Sequence, residues 1–351
     1  MSSEMLSTHS HATDTAVLEI RDLSVKFVMD TGTVLAVNGA NFTIGRGETV
    51  CVVGETGAGK SVTAFSVMRL LGAGGVSRRA RMHGDIVFRP GDGTEYHILS
   101  LETAEMQAIR GRLISMIYQE PMNSLNPVYT CGNQIAEVLI YHQKKPQREA
   151  MSAAEEILAS VGIPDAGRVL KSYPHELSGG MQQRVMIAMA LALHPALLIA
   201  DEPTTSVDVT IQAQILNLFQ RIQQTSGTSI LFITHDVSVV AQLADRVVVM
   251  YAGRTVEIGS VYDVFRSPLH PYTKGLLKSI PRQTEPGERL ERLTPIPGTV
   301  PNPAALPSGC PFHPRCDSAE ERCQESMPGI DTAANGQTVM CWRWKELQAI
   351  S

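Results

Sequence analysis

The feature that most constrains this chain is a glycine-rich loop at residues 54–61, Gly-Glu-Thr-Gly-Ala-Gly-Lys-Ser. It fits the pattern G-x-x-x-x-G-K-[ST] of phosphate-binding loops. Glycine lets the backbone curl so that its N–H groups point at phosphate oxygens, which a side chain would obstruct. An apolar run at 49–53 precedes the loop, and helical apolar spacing at 62–71 follows it. This context favours strand, loop and helix over an ordinary glycine-rich turn.

The loop therefore predicts nucleotide binding. Lys60 is expected to reach the β and γ phosphates, and the Ser61 hydroxyl is expected to bind Mg²⁺. The helix that begins here adds the positive end of its dipole. The residues assigned to this site are Gly54, Glu55, Thr56, Gly57, Ala58, Gly59, Lys60, Ser61 and Val62.

Length and composition exclude several other classes. With 351 residues and 43% hydrophobic side chains, the chain can bury a full α/β core and has length left for a second unit. The formal net charge of −5 gives no basic field for nucleic acid. Residues 1–15 lack the basic-then-apolar order of a signal peptide, so we expect a disordered tail over 1–16 and no export. The apolar run 185–200 is broken by His194-Pro195, and we expect no membrane span.

Apolar runs alternate with helical stretches along most of the chain, which predicts an α/β fold with a mostly parallel sheet. An antiparallel β subdomain is expected before the loop, and an inserted helical subdomain over about 120–195. The nucleotide-binding domain would span 17–260. A proline-rich, loop-rich extension would occupy 261–351. The expected strands are 17–28, 34–44, 49–53, 113–118, 196–200, 229–234 and 246–250, with short strands within 84–100.

Two carboxylates end the apolar run Leu-Ile-Ala-Asp-Glu at 198–202. Beside a phosphate-binding loop, Asp201 would reach Mg²⁺ through its water shell, and Glu202 would polarise an attacking water. The alternative is a strand whose acidic end faces solvent. Gln119 and His235 also follow apolar strands, where an amide can touch Mg²⁺ and an imidazole can lie near the γ-phosphate. A lone histidine is more often structural.

A second glycine-rich turn, Leu-Ser-Gly-Gly-Met-Gln-Gln-Arg at 177–184, opens another helix. A helix start of this kind can bind an anion. The alternative is a simple N-cap, which would explain Ser178 but would not need two consecutive glycines. Close approach to a ligand is the reading that the glycines favour.

These motifs, in this order, resemble the ATP-binding cassette (ABC) family over residues 17–260. The resemblance implies that Ser178, Gly179, Gly180 and Gln182 belong to the signature motif, with Gln119 in the Q-loop and Asp201 and Glu202 in the Walker B motif. It makes Glu202 and His235 catalytic and assigns Ser61, Gln119 and Asp201 to Mg²⁺. Ser-Val-Asp at 206–208 is similar to the D-loop, with Val207 where leucine is usual. For the aromatic residue that stacks on adenine, Phe27 is the candidate.

The tail narrows the resemblance. Ser-Pro-Leu-His-Pro-Tyr-Thr-Lys-Gly-Leu-Leu at 267–277, followed by Ile280-Pro281, looks like the C-terminal extension of oligopeptide and dipeptide importer ATPases. The segments 118–127 and 203–214 are also typical of that subfamily. The resemblance implies an ATP-hydrolysing importer subunit for di- or oligopeptides. Alternatives are a related importer for nickel, opines or glutathione, and a soluble ABC ATPase of translation or DNA repair.

The same resemblance implies partners and a location. A second ATPase, copy or paralogue, would pair the 54–61 loop of one chain with Ser178–Gly180 of the other. Two permease subunits and an extracytoplasmic substrate-binding protein would complete the transporter, at the cytoplasmic face of the inner membrane. No nucleic acid partner is expected.

Four of the six cysteines lie near the C-terminal end: Cys310, Cys316, Cys323 and Cys341. The segment has too few apolar residues for a core, so we expect a metal site or disulfide bonds to stabilise it. Four thiolates suit Zn²⁺ or an iron–sulfur cluster, and the lack of paired C-x2-C knuckles counts modestly against zinc. The subfamily resemblance implies [4Fe–4S], with Zn²⁺ as the alternative and disulfides as a further one. His313 is expected at the surface.

Overall fold

The computed structural model describes residues 16–30, 32–71, 79–119, 124–205, 207–279 and 295–349. The predicted tail 1–16 lies outside these ranges except for Ala16, as do residues 120–123, Ser206 and Ile280-Pro281 of the sequence motifs. The described residues form two compact units. We call them the nucleotide-loop unit (20–42, 50–85 and 233–349) and the signature unit (16–19, 43–49 and 86–232).

The chain order of the regular elements agrees with the predicted alternation of strands and helices. The strands are β1 (Ala16–Met29), β2 (Gly32–Gly45), β3 (Thr49–Val53), β4 (Ala80–Phe88), β5 (Tyr96–His97), β6 (Ile114–Ile117), β7 (Leu197–Asp201), β8 (Ser229–Thr234), β9 (Arg246–Tyr251), β10 (Arg254–Ser260), β11 (Asp331–Thr332) and β12 (Thr338–Val339). The helices are α1 (Lys60–Val67), α2 (Thr103–Ile109), α3 (Cys131–Gln143), α4 (Gln147–Ser160), α5 (Ala166–Lys171), α6 (Gly179–Leu191), α7 (Val209–Ser226), α8 (Val237–Leu243), α9 (Val261–Arg266), α10 (Pro271–Lys278), α11 (Glu321–Glu325) and α12 (Trp344–Ala349).

In the nucleotide-loop unit the strands lie in the order β11-β12-β10-β9-β3. β3 pairs with β9 in parallel, with Val53 opposite Val249, whereas β9, β10, β12 and β11 pair antiparallel. All five residues of β3 are buried, as expected for a strand inside a parallel sheet. The loop at 54–61 thus leaves the carboxyl end of a buried strand.

In the signature unit, β8, β7 and β6 are neighbours in that order. β6 and β7 pair in parallel, with Ile117 opposite Ala200. The helical subdomain predicted from the sequence is present as α3, α4, α5 and α6, which contact one another. Pro146 is the N-cap of α4, where a residue with no N–H to donate is tolerated.

Three sequence expectations need correction. The first predicted helix, 62–71, begins at Lys60 and ends at Val67, because the chain leaves helical geometry at Arg69 with a φ of 49°. The loop-rich extension begins with helices α9 and α10, capped by Ser260 and His270. It also contains a small apolar cluster, where the sequence predicted no core, formed by Leu269, Ala333, Val339 and Trp344.

Candidate functional site

The nucleotide loop has the backbone that its glycines predict. Gly54 and Gly59 have φ angles of 153° and 96°, which residues with a Cβ atom rarely adopt. A Cβ on Gly54 would collide with the carbonyl oxygen of Met250, and one on Gly59 would lie 2.5 Å from the carbonyl oxygen of Ala36. The glycines therefore allow both the curl of the loop and its close packing on neighbouring backbone.

Lys60 is buried at the first position of α1. Its Nζ donates hydrogen bonds to the carbonyl oxygens of Gly54, at 2.8 Å, and Glu55, at 3.2 Å. The ammonium is therefore held against the loop, where a phosphate oxygen is a stronger acceptor than a carbonyl. Ser61 and Val62 continue the first turn of the helix.

Glu55 is anchored by residues of the C-terminal region that the sequence reasoning missed. Arg315 Nη1 donates to Oε2 of Glu55 at 2.7 Å, and Arg315 Nη2 donates to Oε1 at 3.0 Å. The N–H of Glu55 donates to the hydroxyl of Tyr272 at 2.8 Å. The hydrogen bond to Glu55 is the main cause that raises the pKa of the Arg315 guanidinium, and burial raises the pKa of Tyr272. No local pattern near 54–61 points to these partners.

His235 belongs to the nucleotide-loop unit and is exposed at the end of β8. The next residue, Asp236, caps α8 by accepting from the N–H of Ser238. The cap fixes the backbone on one side of the histidine. Phe27, the adenine-stacking candidate, lies on β1 and is half-buried; its role stays a prediction.

The signature unit brings Gln119 and Glu202 together, because each follows one of the neighbouring strands β6 and β7. Gln119 Nε2 donates to Oε2 of Glu202 at 3.1 Å, and the hydroxyl of Thr205 donates to the same oxygen at 3.0 Å. Thr205 was missed; a hydroxyl three residues after a strand-end carboxylate was the available signal. Glu202 has a φ of 48°, a conformation that costs free energy and clusters at functional sites. The preceding Asp201 is buried.

The second glycine-rich turn, at residues 177–184, is called the signature turn here, and residues close to it in sequence hold its shape. Ser178 caps α6 by accepting from the N–H of Met181 at 3.4 Å. Gln182 is buried and donates through Nε2 to the carbonyl oxygens of Pro174 and Leu177. In this structure Gln182 supports the turn from inside.

The two glycines of this turn differ in their surroundings. A Cβ on Gly179 would meet nothing within 4 Å, whereas one on Gly180 would lie 3.0 Å from Ile211. Gly179 therefore presents open backbone at the start of a helix. Asp208, from the predicted D-loop, accepts from the N–H of Ile211 at 2.9 Å and caps α7.

The four C-terminal cysteines line one cavity. All four are free thiols, not disulfides. Burial, with a smaller contribution from the neighbouring cysteines, raises the pKa of Cys310 and of Cys341 to about 11. However, across the described ranges no group of three or more His, Cys, Asp or Glu side chains is arranged to hold a metal ion. The four thiols supply the right donors, but the geometry does not support the predicted iron–sulfur cluster.

Two protein-family models and many known proteins match this chain. Residues 37–205 match the ABC transporter family model, and residues 256–323 match the model of the oligopeptide/dipeptide transporter C-terminal region. A Brucella melitensis protein named for peptide import and ATP binding is 51% identical over 95% of this chain and 98% of its own length. This chain belongs to the ABC transporter family.

Two further similarities are to a peptide-transport ATP-binding protein and to a solved ABC cassette. The oligopeptide transport ATP-binding protein AppD of Bacillus subtilis is 49% identical over 94% of this chain and 97% of its own length. A bacterial ABC transporter cassette solved as a dimer matches with a TM-score of 0.60 and 25% identity, covering 70% of this chain and 98% of its own. These similarities confirm the predicted family and fold class. ATP and Mg²⁺ are expected for ATPases of this family. Within the described ranges, no helix is both long and apolar enough to cross a membrane.

Proposed function

We propose that this ABC ATPase powers a bacterial importer of di- or oligopeptides. The observation that carries the proposal is the match of residues 256–323 to the oligopeptide/dipeptide transporter C-terminal region. The ABC core is shared by transporters of many substrates, whereas the family model for this region is named for oligopeptide and dipeptide transporters. The names of AppD and of the Bacillus subtilis dipeptide transport protein DppD, both 49% identical, support the same substrate class.

In the proposed reaction, Glu202 orients or activates the attacking water. Its contacts with Gln119 and Thr205 support this role, because they fix the position of one carboxylate oxygen at the strand end. Lys60 and His235 stabilise the charge that develops on the transferred phosphoryl group. Ser61, Gln119 and Asp201 are the proposed Mg²⁺ residues. Mg²⁺ would neutralise phosphate charge when bound.

The proposed working form is a dimer of ATPase subunits. The nucleotide loop of one chain would face Ser178, Gly179 and Gly180 of the partner chain, so ATP closes the pair and hydrolysis reopens it. The open backbone at Gly179 supports this role, and a dimeric ABC cassette is among the similar structures. Two permeases and a binding protein would complete the importer, with this chain peripheral to the cytoplasmic face of the inner membrane. An isolated monomer would then bind ATP and hydrolyse it slowly.

The division into a tail (1–16), a nucleotide-binding domain (17–260) and an extension (261–351) is also part of this proposal.

We further propose a [4Fe–4S] cluster on the four cysteines, with Zn²⁺ as the alternative. The shared cavity of the four thiols supports a common ligand, although among the described residues their arrangement is not one that could hold a metal ion. Iron and sulfide analysis of anaerobically purified chain tests the cluster. Stoichiometric zinc, or neither metal, would overturn it.

Uptake by whole cells tests the substrate class. In cells that lack this gene, we expect loss of labelled dipeptide or oligopeptide uptake, and we expect the wild-type gene to restore it. The Glu202→Gln gene should not restore uptake, although the protein is made in equal amount. Unchanged peptide uptake in the deletion strain, with lost uptake of nickel, opines or glutathione, would favour the related importers. Normal uptake of peptides, nickel, opines and glutathione by deletion cells that carry no second copy of the gene would favour an ATPase outside transport.

A further inference from the structure

The side chain of Arg315 is buried in the nucleotide-loop unit, with only 4% of its surface exposed. Besides its two hydrogen bonds to Glu55, it donates to the carbonyl oxygen of Pro297 at 2.8 Å and to the hydroxyl of Tyr251 at 3.3 Å. A guanidinium held on this many sides has little freedom to move. The paired contacts to both oxygens of Glu55 form the planar fork that arginine makes with carboxylates.

The partner of this arginine lies inside the phosphate-binding loop. The loop pattern places no requirement on residue 55, because the backbone, the lysine and the serine do the binding. Yet a carboxylate in a loop that surrounds a polyphosphate repels the ligand unless a cation neutralises it. Arg315 supplies that cation from 260 residues away in sequence.

The position of Arg315 is set by the segment that carries two of the cysteines. The N–H of Arg315 donates to the carbonyl oxygen of Phe312, and the N–H of Cys316 donates to that of His313. The Phe312 ring packs on Tyr251 and Tyr272, with ring centroids 5.2 and 5.4 Å apart. Tyr272 in turn accepts from the N–H of Glu55. The segment 310–316 therefore reaches Glu55 through two independent contacts.

We propose that Arg315 is a positioning residue for the ATPase reaction, acting through Glu55. It neutralises the Glu55 carboxylate and fixes the loop backbone in the shape that accepts the phosphates. ATP binding by the nucleotide loop thereby depends on the fold of the C-terminal segment 310–316. This inference rests on the proposed function and adds a residue to it that lies outside the nucleotide-binding motifs.

A double-mutant cycle on the full chain tests the proposal, with a fluorescent ATP analogue, MANT-ATP, as the binding probe. We expect Arg315→Met to weaken MANT-ATP binding by about tenfold to a hundredfold. Arg315→Lys, which keeps the charge but loses the fork, should lie between Arg315→Met and wild type. In the Glu55→Gln background the charge that needs neutralising is gone, so Arg315→Met should cost clearly less there than in the wild type. In the assembled transporter, Arg315→Met should raise the KM for ATP clearly, whereas its kcat at saturating ATP should stay closer to the wild-type value.

The matched control is Arg322→Met, which removes a tail arginine that pairs with Glu320 and Glu346 at half-exposed positions. It should leave MANT-ATP affinity unchanged. Equal affinity in wild type and Arg315→Met would overturn the proposal, as would an equal loss with and without Glu55→Gln, since that pattern indicates general damage to the fold. If Arg315→Met does not fold, the comparison of Arg315→Lys with and without Glu55→Gln decides in the same way. A wild-type chain that binds no MANT-ATP would instead refute the proposed function itself.

Discussion

Two glycine-rich turns open helices in this ABC ATPase, and they are held in different ways. The nucleotide loop before α1 uses left-handed glycines and is anchored by Tyr272 and Arg315, which are 217 and 260 residues away from Glu55 in sequence. The signature turn before α6 is anchored by Ser178 and Gln182, whose partners lie within eight residues. One turn depends on the distant C-terminal region, and the other is largely self-supporting.

This difference indicates how each turn can be changed. In a turn held by local caps, substitution of an exposed residue should impair function but leave the shape of the turn intact. A turn held by distant contacts should lose its shape when any one of several remote residues changes. Substitutions in the C-terminal region are therefore expected to act on the nucleotide loop and to spare the signature turn.

The largest expected contrast is between matched glycine substitutions. Gly54→Ala forces a Cβ into the carbonyl oxygen of Met250 at a φ of 153°, so we expect the free energy of unfolding to fall by about 4 kcal/mol. Gly179→Ala meets open space and should leave stability unchanged or raise it by about 0.5 kcal/mol. Urea unfolding of the two variants measures both values.

The same pair separates shape from function. Gly179→Ala should slow ATP hydrolysis in the assembled transporter although its fold is intact, because in the proposed dimer the backbone at Gly179 faces the nucleotide of the partner chain. Equal destabilisation by the two substitutions would contradict the distinction between the two turns.

A smaller effect is expected from His270, the cap of the helix that carries Tyr272. Its Nδ1 accepts from the N–H of Tyr272 at 3.0 Å, and complete burial lowers the pKa of the imidazole to about 3. Because the unfolded chain binds a proton near pH 6.5 and the folded chain does not, this histidine lowers stability as the pH falls from about 6.5 to about 3. Its stabilising contribution is complete only above that window.

His270→Asn keeps a capping acceptor and removes the titration. Between pH 7.5 and pH 4, the variant should gain about 3 kcal/mol of unfolding free energy relative to wild type. Burial raises the pKa of the nearby Glu257, which favours folding as the pH falls, but this carboxyl titrates in both proteins and drops out of the difference. Parallel stability–pH curves for the two proteins would rule out a buried neutral histidine as the source of acid sensitivity.

A smaller loss of stability is expected at Ser178. Ser178→Ala removes the cap of α6 and should cost about 1 kcal/mol. ATP binding to the isolated chain should not change, because the nucleotide loop has its own anchors, whereas turnover in the assembled transporter should fall. A weakened ATP affinity of the isolated chain would mean that the two turns are not independent. Calorimetry and phosphate release give the two readouts.

The comparison also explains what the sequence could and could not predict. The turns themselves, the strand ends and the carboxylate pair follow from local patterns, because glycine, capping residues and buried strands act over a few positions. The direct contact of Gln119 with Glu202 was not predicted, because it depends on the pairing of β6 with β7; only the placement of both residues after apolar strands follows from local patterns. Thr205 was within reach of the same reasoning.

The anchors of the nucleotide loop were beyond such reasoning. Arg315 stands in a proline-rich stretch beside Cys316, and nothing in its neighbourhood indicates a carboxylate partner in another region. The helices α9 and α10 were missed because prolines near 268–271 suggested a loop, although Pro271 lies at a helix start, where proline is favoured. Long-range pairing and the packing of the tail required the folded structure.

The central claim is that both turns serve one ATP hydrolysis reaction in which Glu202 acts on water. The most direct measurement compares ATP binding and phosphate release by the assembled transporter for wild type and Glu202→Gln. The amide keeps the shape of the side chain and its contact with Thr205 but cannot accept a proton. We expect ATP binding to be unchanged and phosphate release to fall by about a hundredfold or more. Phosphate release at the wild-type rate would contradict the account.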